Sequence, residues 1–418
     1  MNNRISTGKK EGTMEDYYLD PDFIRQLDGD ILAFIRSGND SSDPEEFNRL
    51  ALMEFEYQFN ENNVYHEFCK AKGVIPGSIL NWNEIPVVPS KAFKENILAS
   101  FPLENTELFY MSGGTTSKQR AQIYRDKSAV ELMLEANTLV TRSFLFPDVE
   151  TMKILLMVPS PKLAPTMGMA IGLEQARKIF GTPDSMYLIT PRGLNIKALL
   201  DSLEEAENTG VPIALIGATS GFIYFFNECE KKGMKYQLPK GSRICDGGGY
   251  SGRFGECSRD EYLQKCENVL GIPPHHCVNT YGTAENSTDF FDNVLRDHWM
   301  GKNTSRYKPH LFWTKTMAVD TRTFQRLPAG EIGLLRHYDL TNRSMIFGVQ
   351  TSNLGYETED GFEIIGRAGV KDGEIPTTPV DRMVGHMSEH RMGRIMDRVM
   401  AYLIKWQTNK HINKRINK

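Results

Sequence analysis

The chain is organised around Met111-Ser-Gly-Gly-Thr-Thr-Ser-Lys-Gln-Arg120, which follows an apolar run and precedes a helical pattern beginning near Asp126. Gly113 and Gly114 let the backbone approach an anion without an intervening Cβ. The surrounding side chains supply hydroxyl donors and positive charge: Ser112, Thr115, Thr116, Ser117, Lys118 and Arg120. This stretch therefore predicts a loop that binds phosphate groups, although in isolation it is more often a polar turn between a strand and a helix.

The loop departs from the GxxxxGK[ST] phosphate loop, because Gln119 stands where that pattern has Ser or Thr. Its interpretation therefore depends on the rest of the chain.

The composition is that of a globular protein. The 418 residues are 40% hydrophobic and 24% charged, which suits one large domain or two smaller ones. The formal net charge of -4 gives no electrostatic reason to expect a nucleic-acid partner. No apolar run approaches the roughly 18 residues of a membrane span, so we expect no transmembrane segment.

The six cysteines show no CxxC spacing, which favours reduced thiols and a cytoplasmic location. His275-His276-Cys277 hints at a metal site. However, consecutive residues of a strand point to opposite faces, and no second ligand cluster is visible in the sequence. A structural use of these side chains is the stronger expectation.

Apolar runs alternate with helical patterns through the middle of the chain. Residues 15–72 read as helical, and residues 82–94 as an extended segment because they contain two prolines. Buried strands are then expected at 154–158, 213–216, 242–245 and 277–280, separated by helices. This order predicts an α/β fold with a mostly parallel sheet flanked by helices, whose ligands gather at the carboxyl ends of the strands.

Polar motifs follow the predicted strands, so we expect them to meet in one crevice: the 112–118 loop, Gly247-Gly-Gly249 and Tyr281-Gly-Thr-Ala-Glu285. From Lys308 onward, short strands with turns predict a small antiparallel sheet or barrel. Residues 384–403 read as an amphipathic helix followed by a basic tail. We divide the chain into an N-terminal helical segment (1–80), a core (81–366) and a short C-terminal segment (367–418).

The motifs also carry a family resemblance. Residues 112–118, 281–285, 351–355 and 366–367 occur in the order and spacing of the acyl-adenylate-forming (ANL) superfamily. Residues 85–93, 246–253, 281–285 and 329–367 most resemble the acyl-protein synthetases of bacterial luminescence (LuxE-type). The likeness extends over about three quarters of the chain, which no single short motif could give by chance.

The resemblance implies an adenylate-forming fold with a truncated C-terminal region and ATP-dependent activation of a carboxylic acid, with a fatty acid as the expected substrate. The acyl-adenylate would pass its acyl group to an external thiol: an acyl carrier protein, coenzyme A or a partner enzyme. ATP and Mg²⁺ are the implied cofactors.

The resemblance also implies roles for individual residues. Glu285 would hold Mg²⁺, and Lys118 and Arg367 would join it as catalytic residues. The implied nucleotide-binding residues are Ser112, Gly113, Gly114, Thr115, Thr116, Gly247, Gly248, Gly249, Tyr281, Gly282, Thr283 and Asn353.

Three features depart from the family pattern. Ala284 replaces a threonine that contacts phosphate, and Asn353 replaces an aspartate that grips the ribose. No cysteine follows Cys277, whereas the luminescence enzymes are acylated on a cysteine near the C-terminus. The alternative function is therefore a degenerate adenylating fold that serves as a non-catalytic subunit of an acyl-transfer or reductase complex.

Overall fold

The structure is a computed structural model that describes residues 21–37, 43–112, 120–252 and 255–368, with the side chains of 251, 252, 255 and 256 excepted. Most of the predicted phosphate loop (113–119) lies outside the described residues, as do the amphipathic helix and basic tail predicted beyond residue 383.

The described residues form helices and strands in alternation. The helices are α1 (Pro21–Arg36), α2 (Pro44–Glu61), α3 (Asn63–Ala71), α4 (Ala92–Glu95), α5 (Lys127–Leu145), α6 (Gly168–Phe180), α7 (Ile196–Thr209), α8 (Thr219–Lys231), α9 (Arg259–Leu270) and α10 (Val294–Trp299). Short 3₁₀ turns occur at Trp82–Glu84, Leu103–Asn105, Pro274–His276 and Leu340–Asn342.

The strands are β1 (Val88–Pro89), β2 (Leu108–Met111), β3 (Gln122–Arg125), β4 (Lys153–Pro159), β5 (Met186–Thr190), β6 (Gly193–Leu194), β7 (Ile213–Ala218), β8 (Arg243–Gly247), β9 (Ser251–Gly252), β10 (Gly255–Glu256), β11 (Cys277–Tyr281), β12 (Phe290–Phe291), β13 (Lys308–Pro309), β14 (Thr314–Val319), β15 (Gly333–Asp339), β16 (Gly348–Glu357) and β17 (Gly361–Arg367).

The N-terminal helices confirm the helical pattern wherever it falls within the described residues. Asp43 caps α2 by accepting the N–H of Glu46, and Asn62 ends α2 and caps α3 through Tyr65 N–H. The proline-containing segment 82–94 was predicted to be extended, but only Val88–Pro89 (β1) is a strand. A 3₁₀ turn begins the segment at Trp82–Glu84, and α4 adds a single helical turn at its end.

The larger sheet has the strand order β12-β11-β8-β7-β4-β5-β6, and its neighbours are parallel from β11 to β5. The two edge strands, β12 and β6, run antiparallel to their neighbours. The predicted α/β class and parallel sheet are therefore confirmed. The sequence patterns missed β5 and β6 as well as α6, whose first turns contain Gly168 and Gly172.

The two faces of this sheet pack into different cores. Ile154 and Leu156 of β4 belong to a core that includes α5 and α6, whereas Leu155 and Met157 belong to a core formed with α7, α8 and α9. The side-chain alternation of an extended strand explains this division. Helices thus cover both faces and leave the strand ends to carry polar residues.

The second sheet is largely antiparallel, with the order β13-β17-β16-β15-β14, and β1 pairs with β16 in parallel. It confirms the antiparallel sheet predicted for the last third of the chain. The N-terminal helices share its core, since Phe47 of α2 packs against Phe347 with ring centroids 6.1 Å apart.

Arg343 joins three distant parts of the chain. Its buried guanidinium pairs with Asp126, the N-cap of α5, at 2.8 Å and with Asp28 of α1 at 2.7 Å. The N-terminal helices are therefore tied by charge as well as by apolar packing to the core that carries the site.

Candidate active site

Among the described residues, two of the predicted polar motifs, 247–249 and 281–285, lie at the carboxyl edge of the parallel sheet. β11 ends at Tyr281, and residues 281–285, which we call the 281–285 turn, follow it. Asp339 holds the chain beyond this turn by accepting the N–H groups of Ser287 and Thr288 at 3.2 and 2.7 Å. Because Asp339 ends β15 of the second sheet, the turn is held where the two sheets meet.

The backbone at Gly282 lies against the side chain of Asp289. A Cβ there would lie 1.9 Å from Oδ1 of Asp289, so the Asp289 carboxyl group would have to move to make room. Burial also raises the pKa of Asp289 to about 6. Local packing against Asp289 thus favours glycine at this position, independently of any role in binding a nucleotide.

The Tyr281 hydroxyl connects the two sheets. It lies 3.1 Å from Nε2 of His337 and donates to Oδ1 of Asn353 at 3.4 Å. Burial lowers the pKa of His337 to about 3, so this imidazole is neutral at physiological pH, and burial raises the pKa of Tyr281. The ring packs near Phe290 and Phe362, with both centroids 6.2 Å away.

Asn353 and Arg367 are directly opposite each other on β16 and β17. Arg367 is exposed, and its Nε donates to Oγ of Ser352 at 2.9 Å. Its charge acts on both Tyr281 and Glu285, lowering the pKa of each against the effect of burial. The structure therefore brings these four predicted residues into one neighbourhood.

Glu285 is a buried carboxyl group whose charged form the protein stabilises only in part, because its pKa stays above the ordinary value. It is only 7% exposed, and burial raises its pKa, while the charges of Arg367 and Lys94 act in the opposite direction. Within the described residues, the neighbouring Thr283 Oγ1 is buried without a hydrogen bond of ordinary geometry. A buried carboxylate beside such a hydroxyl is the kind of oxygen donor set that suits a hard divalent cation.

Gly247, the last residue of β8, and the two glycines that follow it lie in three different environments. A Cβ on Gly247 would lie 3.2 Å from Cγ2 of Thr280, and Gly248 has φ of +113°, which side chains rarely adopt. Gly249 faces open space, because no atom lies within 4 Å of the position that a Cβ would take. The backbone is therefore free to face a flat ligand at Gly249.

Asp246, which directly precedes the three glycines, holds this segment through side-chain hydrogen bonds. Its Oδ2 accepts hydrogen bonds from Thr219 Oγ1 at 2.7 Å and from Asn279 Nδ2 at 3.0 Å. Burial raises its pKa to about 6. The Asp246 side chain thus links β8 to α8 and β11, which fixes the position of the glycines that follow it.

Ser112 is the one residue of the predicted phosphate-binding set 112–118 that lies within the described residues. Its N–H donates to Ala121 O, and its Oγ accepts from Ala121 N–H, both at 2.9 Å. These two hydrogen bonds extend the β2–β3 pairing by one residue on each strand. Gly113, Gly114, Thr115, Thr116 and Lys118 lie in the part of the chain that is not described, and their roles stay predictions.

Arg125, the last residue of β3, connects the β2–β3 hairpin to the chain just beyond the 281–285 turn. This fully buried guanidinium bonds to Tyr110 OH at 3.0 Å, to Asn342 Oδ1 at 3.2 Å and to Asn286 O at 3.5 Å. Arg125 thus joins the β2–β3 hairpin to Asn286, the residue that follows Glu285. No sequence pattern indicated Arg125, because its partners are far apart along the chain.

Lys94 and His337 were also missed from sequence. Lys94 directly follows the 85–93 stretch that carries part of the family resemblance, so that stretch could have indicated it. His337 lies inside a β-strand pattern, where a histidine has no distinguishing signal.

The comparison with protein families decides what this site belongs to. The chain matches the family described as acyl-protein synthetase, LuxE, over residues 27–372. The chain belongs to the LuxE acyl-protein synthetase family.

Two curated relatives of this LuxE family member are long-chain-fatty-acid–luciferin-component ligases. The one from Vibrio harveyi is 24% identical over 318 residues, covering 75% of this chain and 79% of the relative. The one from Aliivibrio fischeri is 22% identical over 315 residues, covering 74% of this chain and 79% of the relative.

Solved structures show the same fold. An open conformation of 2-hydroxyisobutyryl-CoA ligase in complex with 2-HIB-AMP and CoA is similar with a TM-score of 0.56 and 14% identity, covering 90% of this chain and 86% of that one. The same ligase in its postadenylation state gives a TM-score of 0.55, also at 14% identity, covering 90% of this chain and 78% of that one. These likenesses confirm the adenylate-forming fold.

Among the helices of the described residues, none is both long and apolar enough to cross a membrane.

Proposed function

We propose that this protein uses ATP to activate a carboxylic acid, specifically a fatty acid, as an acyl-adenylate and transfers the acyl group to a thiol on another molecule. The observation that carries the proposal is the gathering of Tyr281, Glu285, Asn353 and Arg367 at the carboxyl edge of the parallel sheet in a member of the LuxE family. The fatty-acid substrate is supported by the names of the two luminescence relatives.

ATP supplies the activated phosphorus, and Mg²⁺, when bound, neutralises charge on the phosphates as pyrophosphate leaves. Glu285 is the residue proposed to hold the metal, and the buried Thr283 hydroxyl beside it supports this role. Ser112, Gly113, Gly114, Thr115, Thr116 and Lys118 would bind the phosphates from the loop.

The remaining residues would orient the nucleoside and the developing charge. Gly247, Gly248 and Gly249 offer backbone to the base, and Tyr281 offers a ring edge already held by Phe290 and Phe362. Asn353 would accept a hydrogen bond from a ribose hydroxyl or donate one to it. Arg367, exposed next to Asn353, would place its guanidinium against the phosphate as the carboxylate oxygen attacks it.

The second half-reaction transfers the acyl group to sulfur. A thiolate attacks the acyl carbonyl, the bond to the AMP oxygen breaks, and AMP leaves with that oxygen. Cys245 lies buried in β8, Cys277 in β11, and Cys229 and Cys266 in helices behind the sheet. Burial raises the pKa of Cys245 and of Cys266, which disfavours their thiolates.

An external acceptor is therefore the simpler proposal, and acyl carrier protein, coenzyme A and a partner enzyme all present a suitable thiol. We infer a cytoplasmic setting, since ATP is the cosubstrate and none of the six cysteines, all within the described residues, forms a disulfide. We also retain residues 81–366 as the catalytic core, with 1–80 and 367–418 as flanking segments.

Acid-dependent pyrophosphate release tests the proposal. Purified protein, ATP and Mg²⁺ are incubated with saturated fatty acids of increasing chain length, an aromatic acid and an amino acid. We expect release with at least one fatty acid. Release with none of these acids, while ATP binds normally, would favour the non-catalytic subunit suggested by Ala284 and Asn353.

A further inference from the structure

Three histidines meet on the surface at the amino end of β11. His275 and His276 lie in the 3₁₀ turn Pro274–His276, and His298 lies in α10. A ligand atom of each lies within 4.8 Å of the other two. We propose that His275, His276 and His298 form a binding site for a divalent transition-metal ion such as Zn²⁺.

The local backbone explains why the sequence argued against this site. Consecutive residues in a strand point to opposite faces, but His275 and His276 precede β11 and lie in a 3₁₀ turn. The expectation that they occupy a strand is therefore wrong. In a 3₁₀ turn successive side chains are about 120° apart, so both rings can lean toward α10.

The hydrogen bonding of His276 prepares it as a ligand. Its Nδ1 lies 3.0 Å from the Ser242 carbonyl oxygen. A carbonyl only accepts, so Nδ1 carries the proton and Nε2 keeps its lone pair. Metal-binding histidines commonly have this second hydrogen bond, which fixes both the tautomer and the ring orientation.

The rings of His275 and His298 stack against each other. The centroids of His275 and His298 are 3.8 Å apart with an interplanar angle of 29°, and those of His276 and His298 are 6.1 Å apart. The three rings are therefore already close together in the folded chain, with a nitrogen of each within 4.8 Å of the others.

The donor set selects the class of ion. Three imidazole nitrogens suit Zn²⁺, Ni²⁺, Cu²⁺ and Co²⁺, whereas Ca²⁺ and Mg²⁺ prefer oxygen. Three protein ligands leave a fourth position for water. Asp148, the carboxylate whose charge acts on His276, already forms an ion pair with Arg243 at 2.7 Å.

The position of the cluster indicates a structural role. It lies at the amino end of β11, whereas the 281–285 turn follows the carboxyl end of the same strand. A bound ion would clip α10 to the 3₁₀ turn without contacting the candidate active site. This site is separate from the Mg²⁺ proposed at Glu285.

The test uses the full chain without a histidine tag, stripped with a chelator and titrated with Zn²⁺ by calorimetry. We expect one tight site per chain and a rise in the thermal midpoint on binding. His298→Ala should weaken the affinity at least about tenfold and remove the thermal shift, because it deletes one of three ligands. His298 is exposed, so this variant should fold normally.

His66→Asn is the matched control, since His66 lies in α3 and outside the cluster. It should bind Zn²⁺ as the natural chain does, and His298→Ala should keep its acid-dependent pyrophosphate release. The absence of stoichiometric Zn²⁺ binding, or equal affinity in His298→Ala, would overturn the proposal. Binding that survives His298→Ala but disappears in Cys257→Ser would also overturn it, by assigning the ion to a thiol.

Discussion

Glu285 draws its compensating charge from other parts of the fold. Lys94 belongs to α4 and Arg367 to β17, and both lower the pKa that burial raises. Holding such a carboxylate in a buried position costs free energy, which a bound cation would offset. The environment is therefore better suited to a ligand-bound state than to a purely structural role.

Replacing this carboxylate tests its role in adenylation. Glu285→Gln keeps the size of the side chain but removes its charge, and we expect pyrophosphate release to fall by about a hundredfold to a thousandfold, as for other electrostatic stabilisers of a transition state. Glu331→Gln, on an exposed turn, should be without effect. A loss below about tenfold, with an unchanged circular dichroism spectrum, would remove Glu285 from the catalytic set.

The side chain of Asn353 has one acceptor oxygen, Oδ1, and the Tyr281 hydroxyl already donates a hydrogen bond to it at 3.4 Å. Asn353→Asp would supply a second, charged acceptor for a ribose hydroxyl. We expect tighter ATP binding by several-fold, on the order of 1 kcal/mol, because charge-assisted hydrogen bonds are stronger than neutral ones.

Calorimetry with ATP measures this change, and Asn268→Asp on the exposed side of α9 adds the same charge away from the site. Unchanged or weaker binding in Asn353→Asp would place Asn353 away from the nucleotide.

Arg343 links helices that are far apart along the chain. It holds Asp28 of α1 and the N-cap Asp126 of α5 within 2.8 Å. Arg343→Met keeps a long side chain but leaves two carboxylates without their partner. We expect the free energy of unfolding to fall by about 3–5 kcal/mol in denaturant titrations, as when one partner of a buried ion pair is removed.

Arg25→Met provides the matched control. Arg25 pairs with Asp22 in α1, but the two side chains are 72% and 75% exposed, so the change should cost less than about 1 kcal/mol. If the two variants lost equal stability, the link between α1, α5 and the core would not depend on Arg343.

Sequence patterns predicted those elements whose apolar residues repeat regularly. The run Ile154–Val158 reads as a buried strand because both of its faces are covered, and the Ser258 capping box marks the start of α9. α6 was not predicted because its two glycines, Gly168 and Gly172, weaken the helical pattern. β5 and β6 lie near the edge of the sheet and are short.

Contacts between distant residues could not be predicted in this way. Asp339 holds Thr288 across 51 residues, and Arg343 reaches Asp28 across 315. Neither pairing leaves a local pattern in the sequence. The family resemblance, in contrast, named Tyr281, Glu285, Asn353 and Arg367, and the fold brings these residues together.

At the scale of the whole molecule, the placement of the cysteines predicts where the acyl group goes. Cys257, between β10 and α9, is the half-buried member of the set, whereas the other five are buried. With ATP, Mg²⁺, a labelled substrate acid and no acceptor, we expect no hydroxylamine-sensitive label on the protein. Label should appear on an added carrier protein, coenzyme A or partner enzyme.

Cys257→Ser is the variant that distinguishes internal from external acceptors. It should transfer acyl groups to the added acceptor as well as the natural chain does. Stoichiometric label on the natural chain that is lost in Cys257→Ser would make this cysteine an internal acceptor.

Oxygen-18 labelling shows directly whether the carboxylate attacks the α-phosphate of ATP. A substrate acid labelled in both carboxyl oxygens is turned over with ATP, Mg²⁺ and a thiol acceptor, and the nucleotide products are examined by mass spectrometry. An acyl-adenylate leaves one labelled oxygen in AMP after the thiol attacks the acyl carbon, and that is the predicted result. Labelled inorganic phosphate together with ADP would instead show that the carboxylate attacks the γ-phosphate to form an acyl phosphate. That result would contradict activation through an acyl-adenylate.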